Sequence, residues 1–246
     1  TLGGVNTYTG ATTISGGTLA LSGSGSIATS SGVALAATGV TFDISASSGG
    51  QTIQDLSGVT GTFIMLGANT LTVGTANSTT FSGSIWGSGG LTKQGSGTLT
   101  LESISGFSGA TTISSGTLAL VGSGIISYSS VTVASGATFD VSGTSSSASL
   151  ITDLAGGGTV KLGSIELVLD NATGTFSGTI VDAGPGVTRG ALTIIEGSLT
   201  LSGVSTYGGV TQIYQGASLT LTGAGSIADT LYVAFSPNST GGVATF

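Results

Sequence analysis

Any chemistry this chain performs has to come from carboxylates. Its 246 residues include no histidine and no cysteine, and only 3 basic residues stand against 10 acidic ones. Ser-His-Asp and Cys-His nucleophiles, His-rich zinc sites, thiolate metal sites and disulfides are therefore excluded within it. Two carboxyl groups can still cleave a glycosidic bond, one as acid and one as base or nucleophile, if they stand ~5–9.5 Å apart. The acids are Asp43, Asp55, Glu102, Asp140, Asp153, Glu166, Asp170, Asp182, Glu196 and Asp229.

Four of these acids recur in matching contexts. Thr41-Phe42-Asp43-Ile44-Ser45 is answered by Thr138-Phe139-Asp140-Val141-Ser142, and Asp55-Leu56 by Asp153-Leu154. A residue present in every copy of a repeat is expected to build the copy, here by accepting hydrogen bonds from turn N–H groups. The unrepeated Glu102, Glu166, Asp170, Asp182, Glu196 and Asp229 are expected to be solvated loop acids, so no catalytic residue is assigned. Calcium would call for a Gly-Gly-x-Gly-x-Asp pattern, whereas Gly156-Gly157-Gly158 is followed by Thr159. No metal site and no cofactor are expected. Lys93, Lys161 and Arg189 are too few to track a phosphate backbone, which argues against nucleic acid as a partner. Asn-x-Ser/Thr triplets at Asn77, Asn171 and Asn238 are expected by chance in a chain so rich in Ser and Thr. Trp86 has no counterpart in the other copies. It is either a buried rung or an exposed contact for a sugar or a partner.

These residues are positioned by one phrase written nearly three times. Tyr8-Thr9-Gly10-Ala11-Thr12-Thr13-Ile14 returns as Phe107-Ser108-Gly109-Ala110-Thr111-Thr112-Ile113, and more loosely as Tyr207-Gly208-Gly209-Val210-Thr211-Gln212-Ile213. The offset from Ala11 to Ala110 is 99. Self-similarity at a fixed period marks a repeat architecture. The super-repeats run over about 1–97, 98–197 and 198–246 of a single unit. Recurring aromatic residues (Tyr8, Phe107 and Tyr207; Phe42, Phe139 and Phe246) are expected to stack inside it. Thr1-Leu2 aligns with Thr100-Leu101 and Ala244-Thr245-Phe246 with Ala137-Thr138-Phe139, so the chain is expected to be an uncapped segment of a longer solenoid.

Composition agrees with that expectation. Charged residues are 5% against about 25% in ordinary domains. There are 46 glycines, and 39% of residues are apolar, enough to offset chain entropy. No apolar run approaches the ~20 residues of a membrane-spanning helix. Short period-two segments such as Thr98-Leu99-Thr100-Leu101 and Val131-Thr132-Val133 alternate with Gly/Ser clusters, which reads as strands and turns. The fold expected is all-β, a parallel β-helix of about 10–12 coils at roughly 20–25 residues each. Outward threonine ladders also occur in ice-binding solenoids, but a degenerate hundred-residue period fits those poorly.

Phe81-Ser82-Gly83-Ser84-Ile85, Gly90-Leu91-Thr92-Lys93-Gln94-Gly95-Ser96-Gly97-Thr98-Leu99-Thr100-Leu101 and Asn6-Thr7-Tyr8-Thr9-Gly10 carry a further signal. Together they resemble the passenger-associated β-strand repeat of bacterial autotransporters. Ile194 and Glu196 depart from the Lys-x-Gly section in the third copy. The resemblance implies a right-handed parallel β-helix, exported by type V secretion through a C-terminal translocator barrel outside this chain and displayed on the bacterial cell surface. It implies a non-enzymatic stalk of an adhesin, whose partner is a receptor or glycan on a host or neighbouring cell. The rival readings are the subunit of an extracellular filament, formed by self-association, and a carbohydrate-active β-helix. Specificity is expected in the text that fails to repeat, around Trp86, 182–189 and 235–242, with Phe235-Ser236-Pro237-Asn238-Ser239-Thr240 expected as a surface loop.

Overall fold

The computed structural model describes residues 1–182 and 189–236. Within them the regular structure is 28 β-strands with no helix. The strands stack in parallel as a β-solenoid of about 10 turns. The alternation seen in the sequence explains each strand. In Thr98–Leu101, Leu99 and Leu101 are buried while Thr98 and Thr100 face outward. The next coil repeats the choice, so side chains meet their own kind across the ladder. Leu99, Leu118, Phe139, Val160 and Ile180 are consecutive Cα partners and form one apolar rung, every member no more than 1% exposed. Outside, Thr52, Thr72, Thr92, Thr112 and Thr132 form a single column.

Four sheets carry these ladders. Sheet I has nine strands, from Thr12–Ile14 to Thr179–Val181, and sheet III has nine, from Gln51–Ile53 to Ser218–Leu221. Sheet II has five, from Thr18–Gly23 to Gly106–Phe107, and sheet IV five, from Ala148–Ile151 to Val233–Ser236. Along the chain, sheet II lies between sheets I and III in the first part, and sheet IV takes that place in the second. The solenoid is therefore three-faced.

The hundred-residue period does not contain a whole number of turns. From Thr12–Ile14 the chain returns to sheet I four times, reaching Thr98–Leu101. It then crosses two more faces before the equivalent Thr111–Ile113, on sheet III. Every other pair moves the same way. Thr18–Gly23 is on sheet II and its copy Thr117–Gly122 on sheet I; Thr98–Leu101 is on sheet I and Ser198–Leu201 on sheet III. Successive super-repeats are thus turned by one face about the axis.

Glycine matters most where backbones nearly touch. A Cβ on Gly178 would stand 1.8 Å from the Gly158 carbonyl oxygen in the preceding coil. Gly17 and Gly116, equivalent turn residues, share a φ of +66°, the left-handed region that side chains disfavour.

The structure corrects two expectations. Val233–Ser236 is a strand paired with Thr211–Tyr214, so Phe235 and Ser236 belong to a ladder and not to a surface loop; residues 237–242 of that stretch lie outside the described residues. Tyr8 is 42% exposed, whereas Phe107 and Tyr207 are fully buried. Phe246 and Asn238 lie outside the described residues, as do 183–188.

Candidate functional site

The recurring acids hold the backbone together. Asp43 is the Cα partner of Ala20, yet two positions later Ser22 pairs with Ala46, so one extra residue is inserted after the aspartate. The same slip follows Asp140, where Ala119 pairs with Asp140 and Val121 with Gly143. Such a β-bulge takes backbone groups out of the ladder. The carboxylate meets that need: Ser45 N–H donates to Asp43 Oδ1 at 2.8 Å, and Ser142 N–H to Asp140 Oδ1 at 3.0 Å.

Asp55 and Asp153 act between coils. Thr75 Oγ1 and Asn77 Nδ2 donate to Asp55 at 2.6 and 2.7 Å. Thr173 N–H, Gly174 N–H and Thr173 Oγ1 donate to Asp153 at 3.0, 3.0 and 2.7 Å. Each aspartate ties its turn to the following one. The two stand at the edges of different sheets, I and III.

The unrepeated acids behave in two ways. Ser82 Oγ donates to Glu102 at 2.6 Å, Thr193 Oγ1 donates to Glu166, and Gly208 N–H donates to Asp182 at 2.8 Å, so these three also bridge coils. Asp170 and Glu196 come together at one corner of adjacent coils, where Ala172 N–H donates to the Glu196 carbonyl at 2.9 Å. Both are exposed, and no hydrogen bond among the described residues fixes either carboxylate. Asp229 lies in an exposed turn. No group of three His, Cys, Asp or Glu gathers anywhere among the described residues.

Two internal polar devices went unnoticed in the sequence. The first is a hydroxyl relay in every copy of the repeated phrase. Tyr8 OH lies 2.7 Å from Thr12 Oγ1, which lies 2.9 Å from Ser30 Oγ, which donates to Gly10 C=O at 2.8 Å. Tyr207, Thr211, Thr230 and Gly209 C=O repeat the arrangement at 2.6, 3.1 and 2.6 Å. In the middle copy Phe107 has no hydroxyl, and Thr111, Ser129 and Gly109 C=O keep the rest. The recurrence of Ser30, Ser129 and Thr230 was the available signal. Burial pushes the Tyr207 phenol up to about 12, against a smaller opposing effect of its bond to Thr211.

The second is Lys93. It occupies the inward rung Ile53, Val73, Lys93, Ile113, Val133 and is only 1% exposed. Its Nζ donates to the carbonyls of Gln94, Gly95 and Ser115 at 2.7, 2.8 and 3.4 Å, capping a corner of two coils. Burial lowers its pKa from the ordinary lysine value.

Trp86 resolves to the exposed alternative. It projects outward from Ser84–Gly87 on sheet II and is 40% exposed, beside Met65 and near Phe63, each 38% exposed.

This arrangement defines a class of protein: a parallel β-solenoid repeat in which seven of the ten acids brace turns or join coils. Three segments, 1–21, 91–120 and 196–221, match the family model of the passenger-associated-transport-repeat. These segments carry all three copies of the hydroxyl phrase and Lys93. The chain is a β-solenoid bearing this repeat in three places, which supports an autotransporter passenger. No curated protein and no solved structure matches it.

Proposed function

We propose that the chain is a non-catalytic stalk segment of a bacterial adhesin, exported by type V secretion and displayed at the cell surface. The observation that carries this reading is the use made of the acids. Asp43, Asp140, Asp55, Asp153, Glu102, Glu166 and Asp182 are engaged in bonds that shape or join coils. Asp170 and Glu196, the pair brought to one corner, lack the bonds that hold catalytic carboxyls in place. A stalk needs what this chain has, nine-stranded ladders on sheets I and III in which each coil is stabilised by its neighbours. The match to a transport-associated repeat supports the export route.

The test is display. The chain is placed between a secretory signal and a translocator barrel in a Gram-negative host, and intact cells are labelled with antibody and treated with external protease. Surface labelling that protease removes is the expected result. Retention in the periplasm beside a correctly inserted barrel would overturn the reading. Turnover on a panel of glycans, abolished by Asp170→Asn or Glu196→Gln, would replace the stalk with an enzyme.

A further inference from the structure

The super-repeat supplies an internal control for what the coil requires. In the first copy the outward positions on neighbouring strands run Asp43, Met65, Trp86 and Gly106. In the second copy the equivalent positions run Asp140, Lys161 and Val181. The same backbone accepts Lys and Val where the first copy has Met and Trp. The aspartate is kept for the bulge, but the coil does not need the thioether and the indole. Exposed Met65, Trp86 and Phe63 are therefore surplus to folding, and exposing them carries a solvation cost.

Trp86 is also prepared for a flat ligand. The residue beyond it in the ladder is Gly106, and a Cβ there would meet the indole Cζ3 at 2.2 Å and Cε3 at 2.5 Å. The benzenoid ring occupies the place a side chain at position 106 would take, and Trp86 keeps 40% of its surface exposed. Among the described residues no hydrogen bond engages the indole N–H. Polar groups share the face: Ser84 and Thr41 flank Phe63 in register, and Asp43 stands two strands from Trp86, ~10 Å.

We propose that this face, on strands 63–67, 84–87 and 106–107, binds a neutral carbohydrate by stacking a pyranose ring on Trp86, with Asp43, Thr41 and Ser84 placed to bond hydroxyls of the same or the next sugar. The proposal rests on the surface-displayed reading and names its partner's chemistry. Charge selects the class. The face's charged group is Asp43, and the chain carries −7 overall, so acidic sugars are repelled. Area disfavours a second copy of the chain. The three side chains leave on the order of 300 Å² to bury, against the ~800 Å² per partner of a stable protein interface.

Trp86 is the chain's one tryptophan, so its emission reports on this site alone. The purified chain is applied to an array of neutral and sialylated glycans, and hits are titrated by Trp fluorescence. Expected is binding to a neutral class, with a shift in emission, and at least tenfold weaker array binding for Trp86→Ala. The double variant Met65→Lys/Trp86→Val copies the second super-repeat's surface, which the fold already accepts, and is expected to lose array binding with unchanged thermal unfolding. Binding retained by that variant would overturn the proposal, as would no neutral glycan bound. Self-association removed by the double variant would also overturn it, in favour of a second copy. Because the chain is tested in solution, failure here leaves the display experiment unaffected.

Discussion

At the scale of the residue, the polar side chains of this solenoid close gaps left by its own backbone. Asp153 collects three donors from the next coil. Asp153→Ala removes three bonds between coils, one of them part-buried, and is expected to cost ~2 kcal/mol by urea unfolding, more than the ~1 kcal/mol for Asp140→Ala, whose exposed bonds stay within one turn. Tyr207 gives a pH signature. Its folded pKa is raised to about 12, above the ~10 of an unfolded tyrosine. The folded state holds the proton more tightly, so this contribution is complete below pH ~10 and is lost as pH rises toward about 12, by up to ~2–3 kcal/mol. Lys93, with a lowered pKa, acts in the opposite direction as pH rises. The difference between the wild type and Tyr207→Phe isolates the tyrosine, and that difference is expected to fall through zero and reverse between pH 9 and pH 12, leaving the variant the more stable. A constant difference would show that Tyr207 does not bear the effect. At neutral pH the substitution is expected to cost only ~1 kcal/mol, since Phe107 already fills the equivalent buried place.

At the scale of the element, strands are set by alternation and corners by contact between coils. Thr-Leu-Thr-Leu is legible as a strand anywhere, because which side chains face inward is decided within a few residues. Lys93 was not legible as core. A lysine in an apolar rung is stable only because carbonyls of two different turns converge on its ammonium, and that convergence is a property of the closed coil. Gly178 shows the same dependence. Its need for glycine comes from Gly158 in the coil before it, 1.8 Å from where a Cβ would stand. Gly178→Ala is expected to lose ~3 kcal/mol or more, with a lowered thermal midpoint. Gly49→Ala, with open space around it, is expected to be near neutral.

At the scale of the whole molecule, stability is the sum of coil-to-coil contacts, and the length is adjustable. Deleting residues 98–197 joins Gly97 to Ser198-Leu199, the counterparts of Thr98-Leu99. The shortened chain is expected to keep a cooperative β signal in circular dichroism and to be about 20 Å shorter by small-angle scattering, the height of four to five strand spacings. Loss of the β signal would show that super-repeats are not interchangeable. The turn of one face per super-repeat also bears on display, since a feature written at the same place in two copies points in two directions. Met65 and Trp86 stand on sheet II, while their counterparts Lys161 and Val181 stand on sheet I.

The amino-acid sequence by itself determined the all-β class, the stacked coils and the structural role of the repeated aspartates. Each of these follows from local alternation and from recurrence, which need no knowledge of where the chain closes. The tertiary structure alone decided which face each copy occupies. Coils differ in length, as Glu166 shows by pairing with Ala148 behind it and Ala191 ahead, and only the closed ladder counts turns. It also decided that Trp86 faces outward over Gly106. Whether an unrepeated aromatic fills a rung or lies on the surface depends on its register against the neighbouring coil, and register is a long-range property.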